Sequence, residues 1–491
     1  MKPEPPATSP RTRRGRAIAG AVLAVLVLSW LPECDADLPQ RPSSRAFAWH
    51  ADALFDALAR RHAEATEAGC GAAFAELAAR TDAQLDALER TAAGPDDPRW
   101  DALERGIFEL FAQAGGCPDR IAELSARRER VRRIAKAATR TWPRGQAARD
   151  RAYRLLYGSR AALEELLLQL RPEQAPRLSH GIAVPSQTPS IEVEGVRVHS
   201  GDILLSRGGA PTSAFIARGN DYPGNFSHVA LVHVDETTGA GSVIEAHIER
   251  GVAVTDAAGY LGDKKLRIAV LRLRADHPAL AADAMLPHHA ATAALQQARA
   301  RHIPYDFAMD THDHAAQFCS EVAAAAYAAH GVVLWDQLST FSSGGLARWM
   351  TQLGVRHLET EAPADLEYDP QLDVVAEWHD AATLLDDHID NAAIDAMLEQ
   401  AESGAALEHD WTLLPLARAL KLYSAVLVLL GGEGPIPEGM SATVALRAQW
   451  LGERHGAVRE RVREAVAAAQ AQHGRTPPYW ELVALAREAA R

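Results

Sequence analysis

The chain has 491 residues, 47% of them hydrophobic and 23% charged, enough for roughly two to four packed domains at about 150 residues each. Its net charge of −13 excludes the basic footprint of a general nucleic-acid binder, so no nucleic-acid partner is expected. The four cysteines, Cys34, Cys70, Cys117 and Cys319, form no C-x-x-C pair, so no zinc ribbon is indicated.

Arg11, Arg13, Arg14 and Arg16 precede an uncharged stretch of fifteen residues, 17–31. That is short for a spanning helix of about 20 residues and has the form of an export signal. Residues 1–40 are therefore expected to be a signal peptide or a membrane anchor. The protein is expected to be exported, periplasmic or extracytoplasmic, with inner-membrane association through 17–31 as the anchored alternative. In such a compartment Cys70 and Cys117, each beside a glycine in a helical region, could pair or stay free.

Residues 41–178 space their apolar side chains three and four apart, as in the stretches 51–61, 74–92 and 100–116. Pro95 and Pro98 separate two of these runs, and Gly115-Gly116 ends another. A helical bundle or coiled hairpin is expected. Its basic stretch 119–141 reads as a solvated face, with contact to anionic lipid as the minor reading. Pro172, Pro176, Pro185 and Pro189 then mark a linker.

From Ile191 the period changes to short β-branched runs separated by turns, which predicts a small, mostly antiparallel sheet. Helices are expected near 290–300 and from Cys319 to Gly331, a glycine suited to a helix C-terminus. The domain 188–380 is thus α+β. Beyond it, 381–491 returns to helical spacing. Within that region the apolar stretch ending at Gly431-Gly432 is too short to span a membrane alone and reads as a buried helix.

The chemistry-bearing residues lie in the sheet domain. His228 begins a strand in NFSHVALV, Glu245 lies on the next in VIEA, and Cys319 opens an Ala-rich helix in FCSE. A cysteine at a helix start beside an imidazolium favours the thiolate, the nucleophilic form. A histidine can move the proton to a leaving group, and a third polar residue can hold its ring. His247 shares the strand face of Glu245 by alternation and competes with it for that third place. The cluster His302, Asp306, Asp310, His312, Asp313 and His314 lacks an H-E-x-x-H pattern and reads as a polar loop, so neither a metal nor a cofactor is expected.

The ordered set GDILLS, FSHVALV, VIEA, PYDF and FCSE resembles the permuted NlpC/P60 papain-like cysteine hydrolases, in particular the YiiX/YebB-like branch, over about 190 residues. In that branch the histidine precedes the cysteine, as it does here. The resemblance implies a circularly permuted papain-like fold flanked by N- and C-terminal helical regions. It implies Cys319 as nucleophile, His228 as base and Glu245 as third member. Tyr305, Asp306 and Asp202 match further family positions and would line or support the substrate site. The implied reaction is hydrolysis of an amide, with a cell-wall peptide as the first substrate reading. Lipid acyl hydrolysis or transfer by the same triad is the second, and a non-catalytic binding module on this fold the third.

Overall fold

The computed structural model describes Trp30, Phe47 and residues 53–491 apart from 264, 336, 338, 342 and 343. The expected signal or anchor, 1–40, therefore lies outside the described residues except for Trp30. The described chain opens with helices α1 Ala53–Ala68, α2 Gly71–Arg90, α3 Pro98–Gln113, α4 Ile121–Thr139 and α5 Gln146–Leu167. Local chemistry explains their limits. Asp97 caps α3 by accepting the Arg99 N–H, and Pro98 occupies the first turn, where a missing N–H costs nothing. Cys70 and Cys117 are joined by a disulfide, with their Cα atoms 5.4 Å apart, which ties the start of α2 to the end of α3.

Next come β1 Leu178–His180, β2 Ser190–Val193, β3 Val196–His199, β4 Ile203–Gly208, α6 Pro211–Arg218, β5 His228–Val234, β6 Gly241–His247, β7 Gly251–Asp256, α7 Ala257–Gly262 and β8 Lys265–Leu273. They are followed by α8 Pro278–Ala282, α9 Leu286–Ala300, α10 Cys319–Ala328, β9 Ser339–Thr340, α11 Gly345–Gln352, β10 Glu359–Thr360, α12 Asp365–Tyr368 and β11 Leu372–His379. The main sheet runs β1-β11-β8-β4-β5-β6-β7 and is antiparallel at every pairing. Alternate residues serve its two faces. Ile203, Leu205, Val229, Leu231 and Ile244 join one core, and Leu204, Ala230, Val232 and Val243 join the other. The fold is α+β.

The basic helix α4 departs from the solvated-face reading. Arg128, Arg132 and Lys136 stand four residues apart, so they share one stripe, and all three are buried. Arg132 and Arg160 of α5 bind Glu377 of β11 at 2.9 and 2.7 Å, and Arg128 reaches the same carboxylate at 3.4 Å. Lys136 donates to the carbonyls of Glu367, at 2.8 Å, and Asp369. The opposite stripe of α4 pairs with α2, through Arg127 to Asp82 and Arg130 to Asp86, each at 2.7 Å. Cationic residues at these positions therefore join layers instead of facing water.

The chain ends with α13 Ala381–Glu402, α14 Leu414–Leu429, α15 Ala442–His473 and α16 Tyr479–Ala489. α13, α15 and α16 share an apolar cluster containing Ile389, Val458, Val462 and Leu482. α14 corrects the expectation of a buried helix: only Leu414, Ala417 and Ser424 are buried, while Leu416, Leu422, Tyr423, Val426 and Leu429 are exposed. Length and hydropathy could not decide this, because a core helix and a surface apolar helix have the same composition.

Candidate active site

Three elements converge on the site. His228 is the first residue of β5 and pairs with Ser206 at the end of β4. Glu245 on β6 stands opposite Ala230, which puts its side chain on the face that carries His228. His228 Nε2 lies 2.7 Å from Glu245 Oε2. His247 approaches the other carboxylate oxygen, with Nε2 at 3.1 Å from Oε1 but out of hydrogen-bond alignment. Glu245 thus touches the ring of His228, and His247 flanks the carboxylate from the far side, its ring 5.8 Å from that of His228.

Cys319 begins α10 and is buried, with Sγ 3.9 Å from the carbonyl of Ser227, the residue before His228. Nε2 of His228 is taken by Glu245, which leaves Nδ1 for Cys319. Burial alone would lower the His228 pKa. Hydrogen bonds to Cys319 and Glu245 outweigh it and push the value up to about 9. Burial would likewise raise Glu245, but His228 and His247 hold it well below the usual carboxylate range.

The helix start is braced by a residue that the sequence reading used only as part of a motif. Glu321 Oε2 accepts the N–H of Phe318 at 3.0 Å, half of a capping box. Its spacing, three residues past the cap position, was the available signal. Burial, reinforced by Asp306 and Glu361, pushes the Glu321 pKa up to about 9, so this carboxyl is protonated at neutral pH. The backbone N–H groups of Cys319 and Ser320 belong to the first turn, where an α-helix supplies no internal acceptor. They are free to face a developing oxyanion.

Cys319 opens onto an apolar pocket. Its walls include Phe215 of α6, Tyr305, Phe307, Met350 of α11, and Met440 and Val444 at the start of α15. Glu361 is the carboxyl among the lining residues. Burial, with Asp365 and Asp369 nearby, pushes its pKa up to about 8. The C-terminal helices thus supply a wall that the sequence reading did not assign to the site.

The remaining expected residues divide. Tyr305 is buried and lines the pocket beside Cys319. Asp306 turns away into its own loop, accepting the N–H groups of Ala308 at 2.8 Å and Asp310 at 2.6 Å. Asp202 is not brought to the site. It lies at the far end of β4 from Ser206, about 13 Å along the strand at roughly 3.3 Å per residue. There it is held by Arg272 at 2.8 and 2.7 Å and accepts the His199 N–H. The preceding Gly201 has φ +94°, and a Cβ there would meet Pro287 at 2.3 Å, so the G-D pair serves the turn into β4. In the polar loop, His314 contacts Glu321 and His302 contacts Glu438, at 3.0 and 2.7 Å.

Residues 197–376 match the family model described as permuted papain-like amidase enzyme, YaeF/YiiX, C92 family. No curated protein and no solved structure matches the chain.

Proposed function

We propose, from the match of residues 197–376 to the permuted papain-like amidase family and the papain-like cysteine hydrolase it supports, that Cys319, His228 and Glu245 cleave an amide whose acyl part is apolar. The observation that carries this reading is the position of Cys319, beside a histidine held by Glu245 at 2.7 Å and at the wall of an apolar pocket. The Cys319 thiolate attacks the acyl carbon, and the oxyanion is met by the N–H groups of the first turn of α10. The C–N bond breaks as the His228 imidazolium gives its proton to the leaving amine, producing a thioester. Water, deprotonated by His228, then attacks the thioester. A carboxylic acid leaves, and the proton returns the pair to its starting state. Glu245 keeps the ring oriented and stabilises its charged form.

A cell-wall peptide would bring carboxylates and amines into the pocket. Its described lining residues include no cation and one carboxyl, Glu361, that is neutral near pH 7. Burying unpaired charge there is costly, so an apolar acyl group fits better. The test is to incubate the full chain with a long-chain N-acyl amide and follow release of the fatty acid. Cys319→Ser is expected to abolish release, and His228→Ala to lower it by roughly 10²–10⁴-fold. An acyl adduct on Cys319 that hydroxylamine removes is expected by mass spectrometry. Release by Cys319→Ser at the wild-type rate would overturn the proposal.

A further inference from the structure

Large apolar side chains left exposed are not scattered over the molecule. Apart from Val333, every such residue among those described lies in 411–430 or is Trp30. Leu422 is 72% exposed and Leu429 85%. A soluble surface rarely concentrates so much apolar area, and where it does the area meets a partner or a membrane. At about 100° per residue, the exposed positions from Leu416 to Leu430 cover roughly half of the α14 circumference. One packed helix would shield a narrower stripe than that.

Two further observations say what covers the surface. Trp30, near the end of the uncharged stretch 17–31, packs edge-on against Trp411 just before α14, with ring centroids 5.2 Å apart. The apolar surface around α14 thus includes a described residue from far upstream in the chain. The loop after α14 also leads straight to the pocket. Ser424 Oγ accepts the Ile436 N–H at 3.0 Å and Lys421 Nζ donates to the Pro437 carbonyl at 2.7 Å, and Met440 and Val444 then form pocket wall. The segment Trp411–Leu429 is long and apolar enough to cross a bilayer, but α15 packs against α14 and leaves one broad apolar face exposed, a form suited to lying in the plane of a bilayer.

We propose that α14 docks this protein onto a lipid bilayer, so that the amide cleaved at Cys319 is borne on an acyl chain drawn from that bilayer. The substrate class rests on the hydrolase reading above, whereas the docking itself does not. Insertion of α14 brings the 431–441 loop, and behind it the apolar pocket, to the membrane surface. A long acyl chain can then pass from lipid to pocket without crossing water.

The test uses the full chain with Cys34→Ser and Cys319→Ser, which silences catalysis. An environment-sensitive fluorophore is attached at Val426→Cys or, as control, at exposed Ala467→Cys on α15. With phosphatidylcholine/phosphatidylglycerol vesicles, the label at 426 is expected to shift to the blue and to be quenched by doxyl-labelled chains. The label at 467 is expected to do neither. Because the readout is local, an anchor at 17–31 cannot mimic it. An unquenched label at 426 overturns the proposal, as does a blue shift without lipid that accompanies a doubled mass, which would make a second copy the partner. In the active enzyme, the combined substitutions Leu422→Asp, Val426→Asp and Leu429→Asp are expected to lower the ratio of vesicle-borne to soluble amide hydrolysis at least tenfold. Quenching at 426 in a protein that cleaves neither amide would refute the hydrolase reading and leave docking standing.

Discussion

In the proposed mechanism proton traffic runs through His228, so its environment sets the expected pH response. With its pKa pushed up to about 9, the imidazolium proposed to donate to the leaving amine persists through neutral pH. The rate is therefore expected to fall as pH rises through about 9, where that proton is lost. Glu245→Gln removes the anion that helps hold the proton, so this alkaline limb should move down by about one pH unit or more. His247→Ala should move it less, because His247 contacts the carboxylate and not Cys319. These shifts are read from kcat/KM profiles across pH 6–10; an alkaline limb that stays put in Glu245→Gln would remove Glu245 from its assigned role. His228 and Cys319 were legible as candidates because each opens an element that periodicity already marked, whereas Glu245 lies inside β6 and stood out only as a carboxylate in an apolar strand. The pairing was not. Whether Glu245 or His247 meets His228 depends on strand register, which the turn between β5 and β6 left open, and the register places Ala230 opposite Glu245. Asp202 misled for the opposite reason. An aspartate after glycine looks the same whether it awaits a ligand or an arginine 70 residues away.

At the scale of elements, the arginines of α4 and α5 are held to the sheet by very few carboxylates. Glu377 alone meets Arg128, Arg132 and Arg160, and these guanidiniums drive its pKa well below the ordinary range against the opposing effect of burial. The attraction is largely offset by desolvation, so the arrangement contributes less to net stability than its contacts suggest. Breaking it is a different matter, because three buried cations lose their common partner and only Glu129, for Arg128 and Arg132, and Glu367, for Arg160, remain beside them. Glu377→Ala is expected to cost roughly 3–5 kcal/mol, read as a lower midpoint in denaturant at unchanged slope. Exposed pairs such as Arg120 with Glu123 should cost under about 1 kcal/mol when broken. A loss for Glu377→Ala as small as theirs would mean that water reaches the network. Helix α4 itself was visible in its spacing. Its solvated face was an error of context: a stripe of Arg and Lys reads as surface until the carboxylates of β11 and the 367–369 segment are known to lie across from it.

For the molecule as a whole, the permuted hydrolase does not end its site where its family match ends. The match stops at residue 376, yet Met440, Val444, Ala448 and Leu451 wall the pocket beside Cys319. Sequence marked the C-terminal region as helical but could not dock it, since amphipathic spacing says that a face is buried and not against what. That docking has a measurable consequence. Ala448 is partly exposed within the pocket wall, so Ala448→Phe can extend into the cavity instead of straining a packed core. Filling it should act on long acyl chains, which need the depth of the pocket, and far less on short ones. An overlap worth about 1–3 kcal/mol corresponds to roughly five- to 150-fold in kcat/KM. The expected result is a loss of that size for a long-chain N-acyl amide, a distinctly smaller one for its acetyl counterpart, and iodoacetamide still reaching Cys319. Equal losses at both chain lengths would point to a displaced α15 and a disturbed site. No loss at either would place the acyl chain outside this pocket, and the C-terminal helices would then have no part in choosing the substrate.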